Sequence, residues 1–516
     1  MRSIRVLLAT VLGVLMLGAS LVGLLVAQSG GQVRSAQVGE IPIRLYAAAS
    51  KAPTVIIAHG FAGSTALMDP LARSLMRRGF TVVSYDTLGH GAHPEPLRMD
   101  ATDRARSAPA LQESLDAVLN WSVDQPEVDP QRLTLLGHSM GAGTVVEYAI
   151  ADAKGAGRIQ ATVALSLPSA AQLPTGEAAI PRNLLLAVGA LEPANFQAAT
   201  LEGLQRAYPP ARMGQSLGDH AQGTARSAIL IPGAEHIGIV FSTATADAAA
   251  TWIGASLGVP AGSGSVAPVL GWFVLALIGT GLLLIPLGRL LLGAARTTSP
   301  VITVRGVKVL LAALAAAVLA SLAARLTDPI HGLVPVAVGG YIAVWFLVAG
   351  AVGLGWWAYR WRRADPPIIT LRAIGASALL AGFVTGIIAV TGRASWAPFA
   401  FVGIRPLIAI LLLAAFAAYF GADALLTRGR RFGARLGVIF GSRLIAIAVI
   451  LASVPLLQAP GFLILLLPLM IILLLVLGWY AAVLLGYRDG WLAAMAVQAL
   501  PLAALVATTF PLVASP

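Results

Sequence analysis

Cysteine is absent from all 516 residues, which excludes disulfides and thiolate metal sites without fixing a redox compartment. Charge is scarce: Asp, Glu, Lys and Arg make up 11% of the chain, against roughly a quarter in soluble domains. Acids are scarcest in the second half, where residues 259–516 hold only Asp328, Asp365, Asp423 and Asp489 beside 17 Lys and Arg. Residues 1–258 carry 18 basic and 19 acidic residues and are close to neutral. The net charge of +12 therefore lies between apolar segments and sets orientation, which argues against a nucleic-acid-binding face.

What remains is apolar. A hydrophobic fraction of 57% and a mean hydropathy of +0.82 indicate a polytopic membrane protein. Residues 6–27 are uncharged, follow Arg2 and Arg5, and are long enough to cross a hydrocarbon core of about 30 Å. A cleaved signal peptide usually has a shorter apolar region, so residues 1–34 read as a retained anchor and linker. After the turn-rich stretch 259–265, residues 266–516 form a series of about eight long apolar segments. With the first anchor this predicts nine crossings of a lipid bilayer.

Orientation follows from the basic residues. With a cytoplasmic N-terminus the inner segments 1–5, 289–308, 360–372, 423–435 and 487–489 hold 15 Lys and Arg, and the short outer loops hold only Arg325, Arg393 and Arg405. Trp272 and Trp396 fall near outer ends and Trp356, Trp357, Trp361 and Trp491 near inner ends, as interfacial belts would; Trp345 and Trp479 read as helix contacts. Residues 35–258, after one crossing, are then extracytoplasmic.

That region has ordinary charge density and alternates short apolar runs with amphipathic stretches. TVIIAH (54–59), TVVSYD (81–86), LTLLGH (133–138), TVALSL (162–167), NLLLAVG (183–189) and SAILIPG (227–233) read as buried strands. Residues 65–78, 109–123, 141–152 and 244–256 read as helices. The alternation implies an α/β domain, a mostly parallel sheet covered on both faces.

Gly137-His138-Ser139-Met140-Gly141 fits G-x-S-x-G in the strand-turn-helix context the motif requires. A serine hydroxyl needs a base, and the base needs an acid to orient it; in this fold the chain order is Ser, then Asp or Glu, then His. Glu192 follows one predicted strand and His236 the last, so both reach the sheet edge of Ser139. Glu177, Glu235 and His220 are the weaker competitors, and Glu235 is too near His236 in sequence to orient its ring. The backbone N–H of Met140 and that of Phe61, in the loop HGFAGS (59–64), are the expected oxyanion donors.

HGFAGSTALMDPLARSLMRRGFTVVSYDTLGHGAH followed by LLGHSMGAG resembles the α/β-hydrolase superfamily, especially its monoacylglycerol-lipase-like and serine-aminopeptidase-like branch. The resemblance covers residues 38–258 or so. It implies esterase, lipase or peptidase chemistry, with Ser139 as nucleophile, His236 as general base, Glu192 as acid, Phe61 and Met140 as oxyanion donors, and His59, Gly60, Gly137, His138 and Gly141 shaping the site. His90 and His93 are expected at the pocket rim, ahead of a metal site built with His59; no metal or cofactor is expected. Two features depart from the pattern: the acid is Glu where Asp is commoner, and residues 168–182 leave no room for a helical cap. An open or shallow pocket follows unless the apolar half covers it.

One anchor already holds a protein at a membrane, so eight further segments need another reason. Transport would predict ionisable groups deep in the apolar segments, and only Arg443 qualifies, either snorkelling or paired with Asp423. The favoured reading is a membrane-embedded serine hydrolase acting on an ester-containing lipid or amphiphile. The alternatives are a transport or envelope-assembly protein whose hydrolase domain processes or senses cargo, and an acyltransferase using the same serine.

Overall fold

Two hydrophobic patterns in the chain produce two kinds of structure. The computed structural model describes residues 2–47, 51–98, 104–293, 305–361, 369–465 and 467–514. They form two compact units: one of Met1–Leu24, Leu270–Arg393 and Ile404–Thr508, the other of Leu25–Val269, Ala394–Gly403 and Thr509–Pro516.

After the first helix, α1 (Arg2–Gln28), the α/β unit runs β1 (Gln32–Val38), β2 (Ile41–Ala47), β3 (Ala52–Ala58), α2 (Thr65–Arg77), β4 (Thr81–Tyr85), β5 (Leu97–Arg98), α3 (Arg104–Val123) and β6 (Val128–His138). It continues with α4 (Met140–Ala153), β7 (Ile159–Leu165), β8 (Leu184–Gly189), α5 (Ala194–Gln205), β9 (Ser216–Leu217), β10 (Arg226–Ile231) and α6 (Thr243–Leu257). Nine strands make one sheet in the order β1-β2-β4-β3-β6-β7-β8-β10-β9. The stretch from β4 to β10 is parallel throughout, and the two edges are antiparallel.

Parallel strands buried on both faces require near-continuous apolar runs, and β3, β6, β7 and β8 have them. One face packs Ile56, Val83 and Leu135 against Leu115 and Leu119 of α3 and Val145 of α4. Ala164, Leu184 and Leu186 pack with Val146 of α4 and Leu204 of α5. Each such aliphatic side chain, fully buried, contributes about 1.5–3 kcal/mol.

All six expected strands and all four expected helices are present with ends shifted by a few residues. Three boundaries differ from the sequence reading. Gln32, assigned to the linker, opens β1, whose partner β2 pairs with it from Val38↔Ile41 to Gln32↔Ala47. The last turn of α1 belongs to the α/β unit, where Arg73 and Arg77 of α2 donate to the carbonyls of Gln28 and Ala27 at 2.6 and 2.8 Å. Cations on the terminal carbonyls of a helix are stabilising. The third difference involves residues 394–403 and the C-terminal segment, both assigned by sequence to the apolar half. Val513 and Ala514 form β11, which pairs in parallel with Leu97 and Arg98 of β5, and Leu512 N–H donates to Gly89 O at 2.8 Å.

The other unit is all helical: most of α1, then α7 (Val269–Leu292), α8 (Gly306–Leu326), α9 (Gly339–Trp361), α10 (Leu371–Arg393), α11 (Arg405–Thr427), α12 (Phe432–Leu457), α13 (Leu467–Leu484) and α14 (Gly490–Thr509). Each expected apolar segment is a helix. Among the described residues eight helices, α1 included, are long and apolar enough to cross a membrane, against nine crossings expected; α13 is shorter. Parts of the arginine-bearing turns, residues 294–304 and 362–368, lie outside the described residues. Trp345 is buried and donates to Ser321 Oγ at 3.0 Å, and Trp479 packs on Gly281, as expected of helix contacts. Arg443 pairs with Asp423 at 2.8 Å; of the two arrangements left open by the sequence, this is the one formed.

Candidate active site

The site grows from the order of the parallel strands. β6, β7, β8 and β10 are successive neighbours, so their carboxyl ends share one edge. Ser139 follows β6 directly, Ser166 follows β7, Glu192 lies three residues beyond β8, and His236 five residues beyond β10. Three strand spacings separate β6 from β10, roughly 14 Å, so the loop after β10 must lean back across the edge to reach Ser139.

It does. His236 Nε2 stands 3.1 Å from Ser139 Oγ, and His236 Nδ1 stands 2.6 Å from Glu192 Oε2. The carboxylate accepts at Nδ1, so that nitrogen carries the proton and Nε2 presents its lone pair to the serine hydroxyl. Glu192 Oε1 accepts from Ser166 Oγ and from the Gly189 N–H, both at 2.7 Å. Burial alone would raise the Glu192 pKa. The hydrogen bonds and charge of His236, joined by Ser166 and the Gly189 amide, outweigh it and hold the carboxyl below its ordinary value.

Ser139 has φ +53° and ψ −113°, a backbone conformation that non-glycine residues adopt only under strain. The tight turn has a steric price at its two glycines. A Cβ on Gly137 would lie 2.2 Å from Gly141 O, and one on Gly141 would lie 2.2 Å from Ala58 O, so the motif admits no side chain at either place. Ser139 N–H donates to Leu165 O at 2.8 Å, which ties the elbow to β7.

Met140 is the first residue of α4, a position whose amide has no carbonyl within the helix to bond. The loop bearing Phe61 passes close beside the elbow: the Cβ position of Gly60 is 3.1 Å from Ser139 Cβ. His59 is committed on both sides, Nδ1 donating to Gly60 O at 2.8 Å and Nε2 accepting from Thr87 N–H at 3.1 Å. Burial lowers its pKa.

His138 is also a neutral wall. Its Nε2 donates to His236 O at 2.8 Å, its ring lies 5.0 Å from that of His236, and burial, with the neighbouring ring, pushes its pKa down to about 3. His90 packs on His59 and edge-on to Phe61 at 5.0 and 5.7 Å, and His93 accepts from the Glu95 N–H. The competitors are occupied elsewhere. Glu235 accepts from the amides of Ile237 and Gly238, His220 bonds Ser256 Oγ at 2.9 Å, and Glu177 is exposed.

Three contributors were not assigned from sequence. Ser166, at φ +54°, supports Glu192, and Phe196 of α5 packs on the His236 ring at 4.7 Å. Asp86 accepts from Thr65 N–H and Ala92 N–H at 2.7 and 2.9 Å, bracing the start of α2 and the LGHGAH turn. Asp86 stands in the stretch SYDTLGHGAH, and an acid opening a glycine-rich turn was the available signal. No helix forms in residues 168–182, where a cap is expected to be missing.

Residues 49–200 match the family model described as "Serine aminopeptidase, S33". With the sheet order and the elbow, this supports an α/β-hydrolase fold for that part of the chain. An uncharacterized 31.7 kDa protein of the traX-finO intergenic region of Escherichia coli is 34% identical over 104 residues, 20% of this chain and 34% of that protein. An uncharacterized protein of Mycobacterium tuberculosis is 33% identical over 98 residues, 19% of this chain and 32% of its own. The chain thus spans about a third of the length of the curated relatives it matches. Among solved structures, the thermostable carboxylesterase EstE1 from a metagenomic library aligns at 17% identity and TM-score 0.34, covering 47% of this chain and 95% of that one. Dienelactone hydrolase from Anabaena variabilis aligns at 19% identity and TM-score 0.31, covering 44% and 97%.

Proposed function

We propose that the chain is a membrane-embedded serine hydrolase that cleaves an ester of a lipid or other amphiphile on the extracytoplasmic side. One observation carries the reading: the hydrogen-bonded row from Ser139 Oγ through His236 to Glu192, at 3.1 and 2.6 Å. In this reading Ser139 Oγ attacks the ester carbonyl while His236 Nε2 takes its proton. Glu192 stabilises the imidazolium and keeps its own charge, and the amides of Met140 and Phe61 receive the developing oxyanion. Collapse of the tetrahedral intermediate returns the proton from His236 to the leaving alcohol. Water, activated by the same imidazole, then releases the acid from the acyl-serine.

The membrane location is supported by eight helices of sufficient length and hydropathy, and the orientation by fifteen basic residues on one side against three on the other. The test is labelling with a membrane-impermeant fluorophosphonate. Intact cells or right-side-out vesicles should label, and Ser139→Ala should abolish the label. Labelling that survives this substitution overturns the serine assignment, and labelling confined to inverted vesicles overturns the orientation.

A further inference from the structure

The helical unit contains a cavity of about 500 Å³ between α8, α9, α11 and α12, separate from the chemistry of Ser139. Its lining changes character along its length. At one end stand Lys308, in the first turn of α8, and Arg360, at the end of α9; both are exposed, and neither has a carboxylate partner among the described residues. From there to Trp345 the wall is mostly alanine, valine and leucine, with Trp356, Tyr419, Asp423 and Ser442 set into it. The run from Arg360 to Trp345 along α9 covers roughly 22 Å and that from Lys308 to Ala317 along α8 roughly 13 Å, which brackets half of a hydrocarbon core of about 30 Å.

The lining holds one acid, Asp423, which accepts from Arg443 at 2.8 Å and has Ser442 Oγ 3.3 Å from its other oxygen. Its charge is compensated inside the bundle, so among the described residues lining the cavity the two rim cations carry the charge that has no carboxylate partner. A slot one leaflet deep, mostly apolar along its length, with its one acid paired to Arg443 and with cations at its mouth, matches an amphiphile with an apolar tail and an anionic head.

We propose that this cavity binds a single anionic phospholipid, with its phosphate between Lys308 and Arg360 and an acyl chain along the alanine face of α8. Basic pockets between spanning helices are suited to anionic head groups, and each basic residue near a membrane surface contributes to their attraction. The inference rests on the helices spanning a bilayer, and its test separates the two.

Full-length protein in mild detergent is presented with phosphatidylglycerol or phosphatidylcholine, and retained lipid is read by native mass spectrometry. Wild type should retain phosphatidylglycerol with about tenfold preference. The double variant Lys308→Gln, Arg360→Gln changes only exposed side chains and should lose that preference. Ala312→Phe, which fills the cavity, should lower retention of both lipids. Absence of preference in wild type, preference persisting in the double variant, or equal stabilisation by glycerol phosphate overturns the site. Alkaline carbonate washing of membranes distinguishes the underlying reading: extraction of the protein overturns membrane insertion itself, whereas a protein that stays in the pellet without lipid preference overturns the cavity alone.

Discussion

The two units bury ionisable groups in opposite ways. In the α/β unit the row from Glu192 to Ser139 is closed at one end and open at the other. Glu192 is surrounded by donors, while the row finishes at a half-buried hydroxyl on a strained turn. In the helical unit Arg443 ends inside the protein: Asp423, Gln498 and Tyr419 lie at 2.8, 3.0 and 3.1 Å from its terminal nitrogens, the rings of Tyr419 and Phe420 lie beneath the guanidinium at 5.1 and 4.8 Å, and Nε is buried with no hydrogen-bond partner among the described residues. An open row delivers a proton to something that is not protein. A closed network holds helices in register, and an arginine so enclosed among apolar helices argues for structure over ion transport.

The widest separation between the units should appear in turnover. Replacing His236 by Ala should lower kcat on p-nitrophenyl butyrate by about 10⁴-fold or more, and Glu192→Gln by about 10⁴-fold, because the first removes the base and the second its orientation. Retention of even a tenth of the activity in His236→Ala would mean that the row is not the proton path.

Stability should separate them in the other direction. Arg443→Ala leaves Asp423 buried without its cation and should destabilise the helical unit by about 3–5 kcal/mol, with Asp423→Leu, Arg443→Leu together recovering most of it. Thermal unfolding of the detergent-solubilised protein reads this. If kcat per folded molecule falls in parallel, the closed network is coupled to the chemistry and the contrast fails.

Much of the open row was legible because its members sit at strand ends, and strand ends are marked by apolar runs such as TVALSL and NLLLAVG. G-x-S-x-G, Glu192 and His236 each follow one. What escaped was set by tertiary contact. β1, QVRSAQV, is an edge strand with little apolar content, and β11 is two residues that become a strand only beside β5. The helix ANFQAATLEGLQ has weak periodicity, so α5, and with it Phe196, gave no pattern to read. Ser166 carries no motif; its role depends on a left-handed backbone after β7 and on Glu192 folding back from β8. In the helical unit each apolar helix was legible from length and hydropathy, whereas the docking of residues 394–403 and 512–514 with the α/β unit was not.

Acid should act on the α/β unit through groups that resist protonation. Burial holds His138 near 3, so between about pH 6.5 and pH 3 the unfolded chain binds a proton that the native chain does not. Stability from this group is complete above pH 6.5 and is lost as pH falls through that window. The depressed Glu192 adds loss of the same sign at lower pH. Denaturant midpoints, read as surviving fluorophosphonate labelling from pH 7 to pH 4, should therefore fall with acid. His138→Gln should make the fall shallower by up to about 1.4 kcal/mol per pH unit. An unchanged slope would remove His138 from the account.

The smallest effect is a matched pair. Ser166 Oγ donates to Glu192 Oε1 at 2.7 Å in the open row, and Ser442 Oγ lies 3.3 Å from Asp423 Oδ1 in the closed network, its one proton shared with the nearer Ile439 carbonyl at 2.8 Å. Each removal to Ala strips one hydroxyl from one buried carboxylate, and Ala at 166 retains the same left-handed backbone demand as Ser, so strain cancels from the comparison. A hydrogen bond to a charged group is worth about 1.5–3 kcal/mol. Only where that carboxylate orients the base can the loss reach the transition state. Ser166→Ala should lower kcat about tenfold with KM nearly unchanged, and Ser442→Ala should leave both alone. Equal kcat in the two variants would mean that Glu192 is held well enough by His236 and the Gly189 amide, and that Ser166 serves the loop and not the reaction.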